Sequence, residues 1–295
     1  MNLLWHSAIG LLVVTGALLG VTLPLGKLAA VAGVAPAVWS LLISAGAGLL
    51  LLIVFTLRGG RLGLTPGHLR YYFVVAALSY AIPNLLMFSA MPHLGAGYLG
   101  IMFTMTPMLT MMISIVMRVQ KPNALGIAGI VVGFLGALLV AMTRGEAGQP
   151  ASLGWVAVGL AMPVFLSMGN VYRTWDWPKG ANPVELAAGS HLAAALMLFL
   201  LTLVTGTAAS IAAIGHVPAL SVIQVISAAS MFAFFFRLQA VGGPIYLSQI
   251  GYVAAAIALI AGTLFLGESY HVLTWLGAVI VCAGVAMTTR AQIRA

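Results

Sequence analysis

The sequence is divided into ten apolar segments, each about as long as a helix that crosses a membrane. A spanning helix needs about 20 mainly apolar residues. Segments of this kind occupy residues 4–26, 36–57, 71–92, 95–118, 123–143, 152–173, 183–206, 218–239, 244–266 and 271–289. The chain is 62% hydrophobic and only 5% charged, whereas a soluble domain carries roughly 25% charged residues. We therefore predict an all-α integral membrane protein with ten transmembrane helices.

The second half of the chain repeats the first about 148 residues later. Ten residues between positions 79 and 136 recur at this spacing; Gly129 and Gly136, for example, recur as Gly277 and Gly284. We predict two five-helix repeats, residues 1–145 and 146–295, that form a single membrane domain. Because five is an odd number, the second repeat enters the membrane from the opposite side, and the two repeats are inverted relative to each other.

The positive charges of the loops indicate the orientation of the chain, because Lys and Arg are retained on the cytoplasmic side of a membrane. With the N-terminus inside, the cytoplasmic set is Arg58, Arg61, Arg70, Arg118, Lys121, Arg173, Lys179, Arg237, Arg290 and Arg294. Only Lys27 and Arg144 fall on the other side. We predict a multi-pass protein of the bacterial inner membrane, surrounded by the lipid bilayer, with both termini in the cytoplasm. The net charge of +8 is scattered over short loops, which argues against a nucleic-acid partner.

Polar and aromatic side chains inside the apolar segments are the candidates for a binding site. The candidates are Tyr80, Asn84, Tyr98, Met102, Thr106, Ser167, Asn170, Ser230, Phe234, Gln249 and Tyr252. Pro83, Pro107 and Pro163 are expected to kink their helices and to free backbone carbonyls, which suits a role in gating. The alternative is that buried amides bond a neighbouring helix and that Met and aromatic side chains serve in packing.

No Asp or Glu lies near the middle of a predicted segment, since all four acids fall at helix ends or in loops: Glu146, Asp176, Glu185 and Glu268. Intramembrane acids are the usual relay for protons and the usual site for organic cations. The sequence also lacks a His or paired-acid cluster and has a single cysteine, Cys282, so we expect no metal site and no cofactor. These features argue against a membrane-embedded enzyme.

Several of these features together resemble the drug/metabolite transporter superfamily, in its EamA branch. They are the five-plus-five helices, the glycine series Gly126, Gly129, Gly133 and Gly136, and the turn Leu266-Gly267-Glu268 after the ninth segment. The resemblance implies a basket-like bundle in which helices 1, 3, 4, 6, 8 and 9 surround a central cavity, with helices 5 and 10 at the periphery. The sequence departs from the branch where Gln120 stands in place of an acid, and where Ser44, whose repeat counterpart is His191, stands in place of an arginine.

A neutral cavity lined by aromatic rings, Met, amides and hydroxyls suits a small neutral or zwitterionic metabolite. Within the resembled family this points to export of amino acids with apolar side chains, similar to the YddG-type exporters. Transport would proceed by alternating access, as facilitated diffusion down the export gradient, and would involve no enzymatic chemistry. Three alternatives stay open: export of drugs or other metabolites by the same fold, a membrane-embedded enzyme of lipid metabolism, and a scaffold without transport. The oligomeric state, including a monomer, is left open by the sequence.

Overall fold

The computed structural model describes residues 6–117, 124–143 and 150–293, and over these ranges its regular secondary structure is helical. We number the main helices α1 to α10: Ala8–Val31, Pro36–Leu57, Pro66–Leu94, Ala96–Val116, Ala124–Thr143, Leu153–Trp175, Pro183–Val204, Pro218–Ser248, Ile250–Phe265 and Val272–Ile293. Seven are long and apolar enough to cross a membrane, and α5, α9 and α10 contribute shorter apolar stretches. The prediction of an all-helical membrane bundle is confirmed. Arg118, Gln120, Lys121, Arg144, Glu146 and Arg294 lie outside the described residues.

Proline and short polar side chains define where the helices begin. The helices α2, α3, α7 and α8 all begin at a proline, whose missing N–H leaves no hydrogen bond unmade in the first turn. Thr65 caps α3 by accepting a hydrogen bond from the His68 amide. Asn182 and Glu185 form a reciprocal capping box at the start of α7, which satisfies two amides that have no partner within the helix.

The boundary between the eighth and ninth helices differs from the sequence prediction. The predicted eighth and ninth segments, 218–239 and 244–266, place a break at residues 240–243, but α8 runs without interruption from Pro218 to Ser248 and the turn falls at Gln249. Gly and Pro are tolerated within membrane helices because neighbouring helices satisfy the freed backbone groups. The residue of the first repeat that corresponds to Gly243 is Gly95, which adopts φ 84° and does separate α3 from α4.

Helix packing follows the repeat. The most extensive contacts pair α5 with α10 and α2 with α7, which are equivalent helices of the two halves. The contact of α1 with α8 has its counterpart in α3 with α6, and the contact of α1 with α9 has its counterpart in α4 with α6. The same helix-to-helix arrangement is therefore built twice, as two related repeats require.

Glycines bring α5 and α10 together at backbone distance. A Cβ atom added at Gly136 would lie 2.6 Å from the Val281 amide nitrogen and 2.9 Å from the Gly277 carbonyl oxygen. Gly284 sits in the same way against the backbone of Gly133. Large side chains of α5 on the other face, such as Phe134 at 59% exposure, point away from the bundle. The glycines are thus a packing seam, and the opposite face suits contact with lipid.

We expect Gly136→Ala to destabilise the fold by about 1–3 kcal/mol, because the added methyl group would have to push two helix backbones apart. Gly154→Ala is the matched control, since the nearest atom to its added Cβ, Ser152 Oγ, is 3.6 Å away. Thermal inactivation of the two purified variants in the same detergent measures the difference. Equal midpoints for the two variants would contradict a close α5–α10 seam.

Candidate functional site

A cavity of about 70 Å³ lies at the centre of the bundle. All six helices that the resemblance places around a cavity contribute to it, and α2 adds Ile43. The lining residues are Leu19, Thr22, Ile43, Ser79, Tyr80, Asn84, Met87, Phe103, Thr106, Leu166, Asn170, Ala228, Met231, Phe232, Phe235, Leu247, Ile250 and Gly251. This volume accommodates a few water molecules and is small for a metabolite pocket, so a ligand of that size requires the surrounding helices to move apart.

The backbone of α3 is irregular where it meets the cavity. Residues Ala76–Ala81 form a π-helical turn, in which the Ile82 amide donates to the Ala77 carbonyl five residues back. Pro83 follows at once and has no N–H to donate to Ser79, four residues earlier, so the regular hydrogen-bond ladder is broken here. Single π-turns of this kind are common at functional sites. Tyr80 lies within this turn and lines the cavity.

Two further interruptions adjoin the same cavity. In α4 the helix is broken at Thr104–Met105, just before Pro107, and the flanking residues Phe103 and Thr106 line the cavity. Between α8 and α9 the turn at Gln249 is flanked by the lining residues Leu247 and Ile250. Pro163, the third predicted kink, lies inside α6, which runs uninterrupted from Leu153 to Trp175.

Equivalent positions of the two repeats line the same cavity. Five pairs of lining residues are separated by 148 positions: Thr22 and Asn170, Tyr80 and Ala228, Asn84 and Phe232, Met87 and Phe235, and Phe103 and Gly251. The positions are shared, but the chemistry is not. On α3 the first repeat supplies a phenol and an amide where α8 of the second repeat supplies a methyl group and a phenyl ring. The α3 part of the lining is therefore more polar than the α8 part.

Several polar atoms at the cavity have no partner in the described part of the chain. The Tyr80 hydroxyl and Thr106 Oγ1 are fully buried and make no hydrogen bond. Asn84 is half-buried and lines the cavity with its amide. Buried polar groups nearly always find a partner, so a bound polar molecule is a natural complement here. Both ring nitrogens of His191 are also without a partner, and this ring stacks on Tyr80 with centroids 3.9 Å apart.

The structure brings four of the eleven predicted binding residues together around the cavity, namely Tyr80, Asn84, Thr106 and Asn170. The other seven do not line it: Tyr98, Met102, Ser167, Ser230, Phe234, Gln249 and Tyr252.

These seven residues have other surroundings. The Tyr98 hydroxyl donates to the Val140 carbonyl of α5 at 2.7 Å, and Met102 lies close to Gly159 of α6. Ser167 Oγ donates to the Pro163 and Thr106 carbonyls. Ser230 and Phe234 are half-buried on α8, Gln249 forms the turn before α9, and Tyr252 lines an apolar groove between α4, α9 and α10.

A buried arginine next to the cavity was not identified from the sequence. Arg173, counted above among the cytoplasmic loop charges, lies inside α6 and is 1% exposed. Its Nε donates to Gln239 Oε1 at 2.7 Å, one terminal nitrogen donates to Asn170 Oδ1 at 2.5 Å, and the other donates to Ser79 Oγ. The residues that line the cavity are uncharged, but the buried charge of Arg173 adjoins them and is no loop charge. The residue occupies the last turn of its helix, where sequence alone does not distinguish a loop charge from a buried one.

A second charged cluster ties helices together at the end of α1. Glu268, in the turn after α9, accepts hydrogen bonds from Lys27 Nζ at 2.5 Å, from the Ala96 and Gly97 amides at 2.8 and 3.1 Å, and from the Tyr270 hydroxyl. We call these five residues the Glu268 cluster. Burial raises the pKa of Glu268, but the hydrogen bonds from Lys27, Tyr270 and the two amides outweigh it and hold the pKa below its ordinary value.

The Glu268 cluster and Arg173 lie on opposite sides of the cavity. Lys27 is five residues beyond the lining residue Thr22 along α1, and Arg173 is three residues beyond the lining residue Asn170 along α6. The helices α1 and α6 are equivalent in the two repeats, so their ends face opposite membrane surfaces when the repeats are inverted.

We expect Glu268→Gln to loosen the start of α4, because a neutral amide holds the Ala96 and Gly97 amides and Lys27 less strongly than a carboxylate. Hydrogen–deuterium exchange of a peptide covering residues 94–99 should rise at neutral pH. Asp176→Asn is the control, since it breaks the contact with Arg70 at the other end of the bundle and should leave this peptide unchanged.

The stabilisation of the start of α4 by the Glu268 carboxylate depends on pH. Since the pKa of Glu268 is lowered from its ordinary value of 4.5, this stabilisation is complete above that pH and is lost as the pH falls through the lowered pKa. Exchange in the wild type, corrected for its intrinsic rate, should then approach that of the variant. Identical exchange in both proteins at neutral pH would contradict the role of the cluster.

Comparison with known proteins identifies the family of this chain. A solved structure described only as "Crystal structure of protein" aligns with a TM-score of 0.66 at 18% sequence identity, over 97% of this chain and 97% of that chain; this likeness concerns the fold. A search of curated proteins finds no match. The sequence profile of the EamA-like transporter family matches residues 6–142 and matches again at residues 153–290. Its two matches follow the two repeats and span nearly the whole sequence, and the chain belongs to the EamA-like transporter family.

Proposed function

We propose that this transporter exports small zwitterionic or neutral metabolites, foremost amino acids with apolar side chains, across the bacterial inner membrane. The observation that carries the proposal is the divided lining of the central cavity. Tyr80 and Thr106 offer polar atoms without partners and Asn84 adds an amide, all from α3 and α4, while Phe232 and Phe235 of α8 form the apolar side. A molecule with a polar head and an apolar side chain complements both sides at once.

The chemistry of the lining supports this substrate class. Hydroxyl and amide groups can hydrogen-bond both a carboxylate and an ammonium group. The phenyl rings and the side chains of Met87 and Met231 provide a polarisable surface for an aliphatic or aromatic side chain. The cavity is too small in this state for such a substrate, so binding would accompany the opening of one side.

Alternating access would use the two ends of the bundle in turn. The Glu268 cluster joins α1, α4 and the α9–α10 turn on one side. On the other side Arg173 joins α6 to α3 and α8. Breaking one set of contacts while the other stays closed would expose the cavity to one membrane surface at a time, as inverted repeats allow.

Facilitated diffusion is the coupling that the lining favours. Among the described residues, none of those that line the cavity is an Asp, Glu, Lys, Arg or His. Proton-coupled carriers usually hold an intramembrane acid that exchanges its proton with the substrate. Export would then follow the substrate gradient, with the termini of the chain in the cytoplasm as the distribution of loop charges predicts.

Exchange of labelled L-phenylalanine and L-leucine in proteoliposomes tests the proposal. We expect saturable flux that persists when an ionophore abolishes the proton gradient. Asn84→Leu and Thr106→Val should each lower the flux about three- to tenfold, which is the effect of losing one neutral hydrogen bond. Ser230→Ala, on α8 but outside the cavity lining, is the control and should leave the flux unchanged.

The outcome also separates the alternatives. Flux of apolar amines or dyes without flux of amino acids would favour drug export by the same fold. Loss of flux on removal of the proton gradient would overturn facilitated diffusion. An effect of Ser230→Ala as large as that of Asn84→Leu would contradict the location of the site.

A further inference from the structure

Arg173 carries a buried charge that no acidic side chain neutralises within the described residues. Its side-chain partners are Ser79, Asn170 and Gln239, all of them neutral, and its guanidinium carbon lies 4.8 Å from the centre of the Phe235 ring. The acidic groups of the described chain are engaged elsewhere: Asp176 with Arg70, Glu185 with His68 and Glu268 with Lys27.

Such an arrangement is costly within a membrane protein. A charged side chain away from water loses its hydration, and neutral hydrogen bonds replace only part of it. Ionisable residues inside membrane bundles therefore generally mark a site of function. The three hydrogen bonds use three of the five N–H groups of the guanidinium, so this side chain retains capacity to donate to another acceptor.

The neighbours of Arg173 place its charge directly behind the cavity wall. Ser79, Asn170 and Phe235 each contact Arg173, and each also lines the cavity. Gly169 permits this close approach, because a Cβ atom at that position would overlap Ser79 Oγ. Ser79 and Asn170 therefore contact both the cavity and the guanidinium.

We propose that Arg173 binds the carboxylate group of the transported molecule and so selects acids over the corresponding amides and amines. The inference rests on the proposed transport function for its biological meaning, but it concerns a binding property that is measured separately. A carboxylate fits the planar fork of a guanidinium with two parallel hydrogen bonds. It would replace Ser79 and Asn170 as partners and supply the negative charge that the described site lacks.

The test uses the purified full-length protein and two ligands of nearly equal shape, phenylacetate and phenylacetamide. We expect phenylacetate to bind at least tenfold more tightly to the wild type, as measured by thermal stabilisation over a ligand titration. Arg173→Gln should abolish this preference by weakening the acid at least tenfold while leaving the amide unchanged. Arg173→Lys retains the charge but not the fork, and should retain only part of the preference.

Arg70→Gln is the matched control, because Arg70 lies at the same end of the bundle but is exposed and paired with Asp176. It should keep the full preference for the acid. Equal binding of the acid and the amide to the wild type would overturn the proposal, as would an unchanged preference in a folded Arg173→Gln or Arg173→Lys protein. If inorganic phosphate competes with phenylacetate more strongly than acetate does, the site is one for phosphate and the assignment to carboxylate is wrong.

Transport separates this proposal from the broader one. Arg173-dependent binding of phenylacetate without amino-acid flux in proteoliposomes would mean that the carboxylate site is real and the proposed function is wrong. Flux of L-phenylalanine and L-phenylalaninamide at equal rates, unaffected by Arg173→Gln, would mean that the transport function stands and the carboxylate site does not.

Discussion

The structure depends on the rule that backbone polar groups inside a bilayer must be satisfied by the protein itself. Unbroken helices meet this requirement, and α2 and α7, which carry proline only in the first turn, follow it over their whole length. The breaks in α3, in α4 and between α8 and α9 all adjoin the central cavity. Irregular backbone is tolerated at such depth where it lines a cavity, and it leaves carbonyl groups and polar side chains available there. The breaks are thus a second observation in favour of the proposed site.

The two repeats share one helix arrangement but place different side chains around the cavity. Equivalent residues of α3 and α8 reach the same cavity, but Tyr80 and Asn84 are matched by Ala228 and Phe232. The charged contacts at the two ends also differ, because Lys27 meets the carboxylate of Glu268 whereas Arg173 meets neutral partners. Because the helix arrangement is the same in both repeats, the bundle can adopt two related conformations. Because the lining residues differ between the repeats, a substrate would bind in one orientation. The polar end of a substrate would face α3 and its side chain would face α8.

Much of the fold could be predicted from the sequence, because hydrophobic length and glycine spacing are local signals. The glycines shared by the fifth and tenth segments do bring α5 and α10 together, and Pro83 and Pro107 do lie beside helix irregularities. The end of α8 was missed, since glycine and proline break a soluble helix more readily than one packed among other helices.

The site was harder to predict because its partners are distant in the sequence. Arg173 meets Ser79 and Gln239, which are 94 and 66 positions away, and nothing in the local pattern of α6 indicates either contact. Ala228, Met231, Phe232 and Phe235 follow the three- and four-residue spacing of one face of α8. This spacing favours Phe235 over Phe234 as a lining residue. The polar residues of α3 were found because they stand out against an apolar segment.

We expect the cavity to open to the two membrane surfaces in turn, and thiol labelling of one lining residue measures this. Cys282 is the single cysteine of the chain, so Met87→Cys in a Cys282→Ser background places one thiol in the cavity. Alternating access predicts that an impermeant thiol reagent labels this residue from either side of sealed vesicles, and that substrate added to one side raises one labelling rate while lowering the other. Labelling from a single side under every substrate gradient, or from neither side, would contradict it.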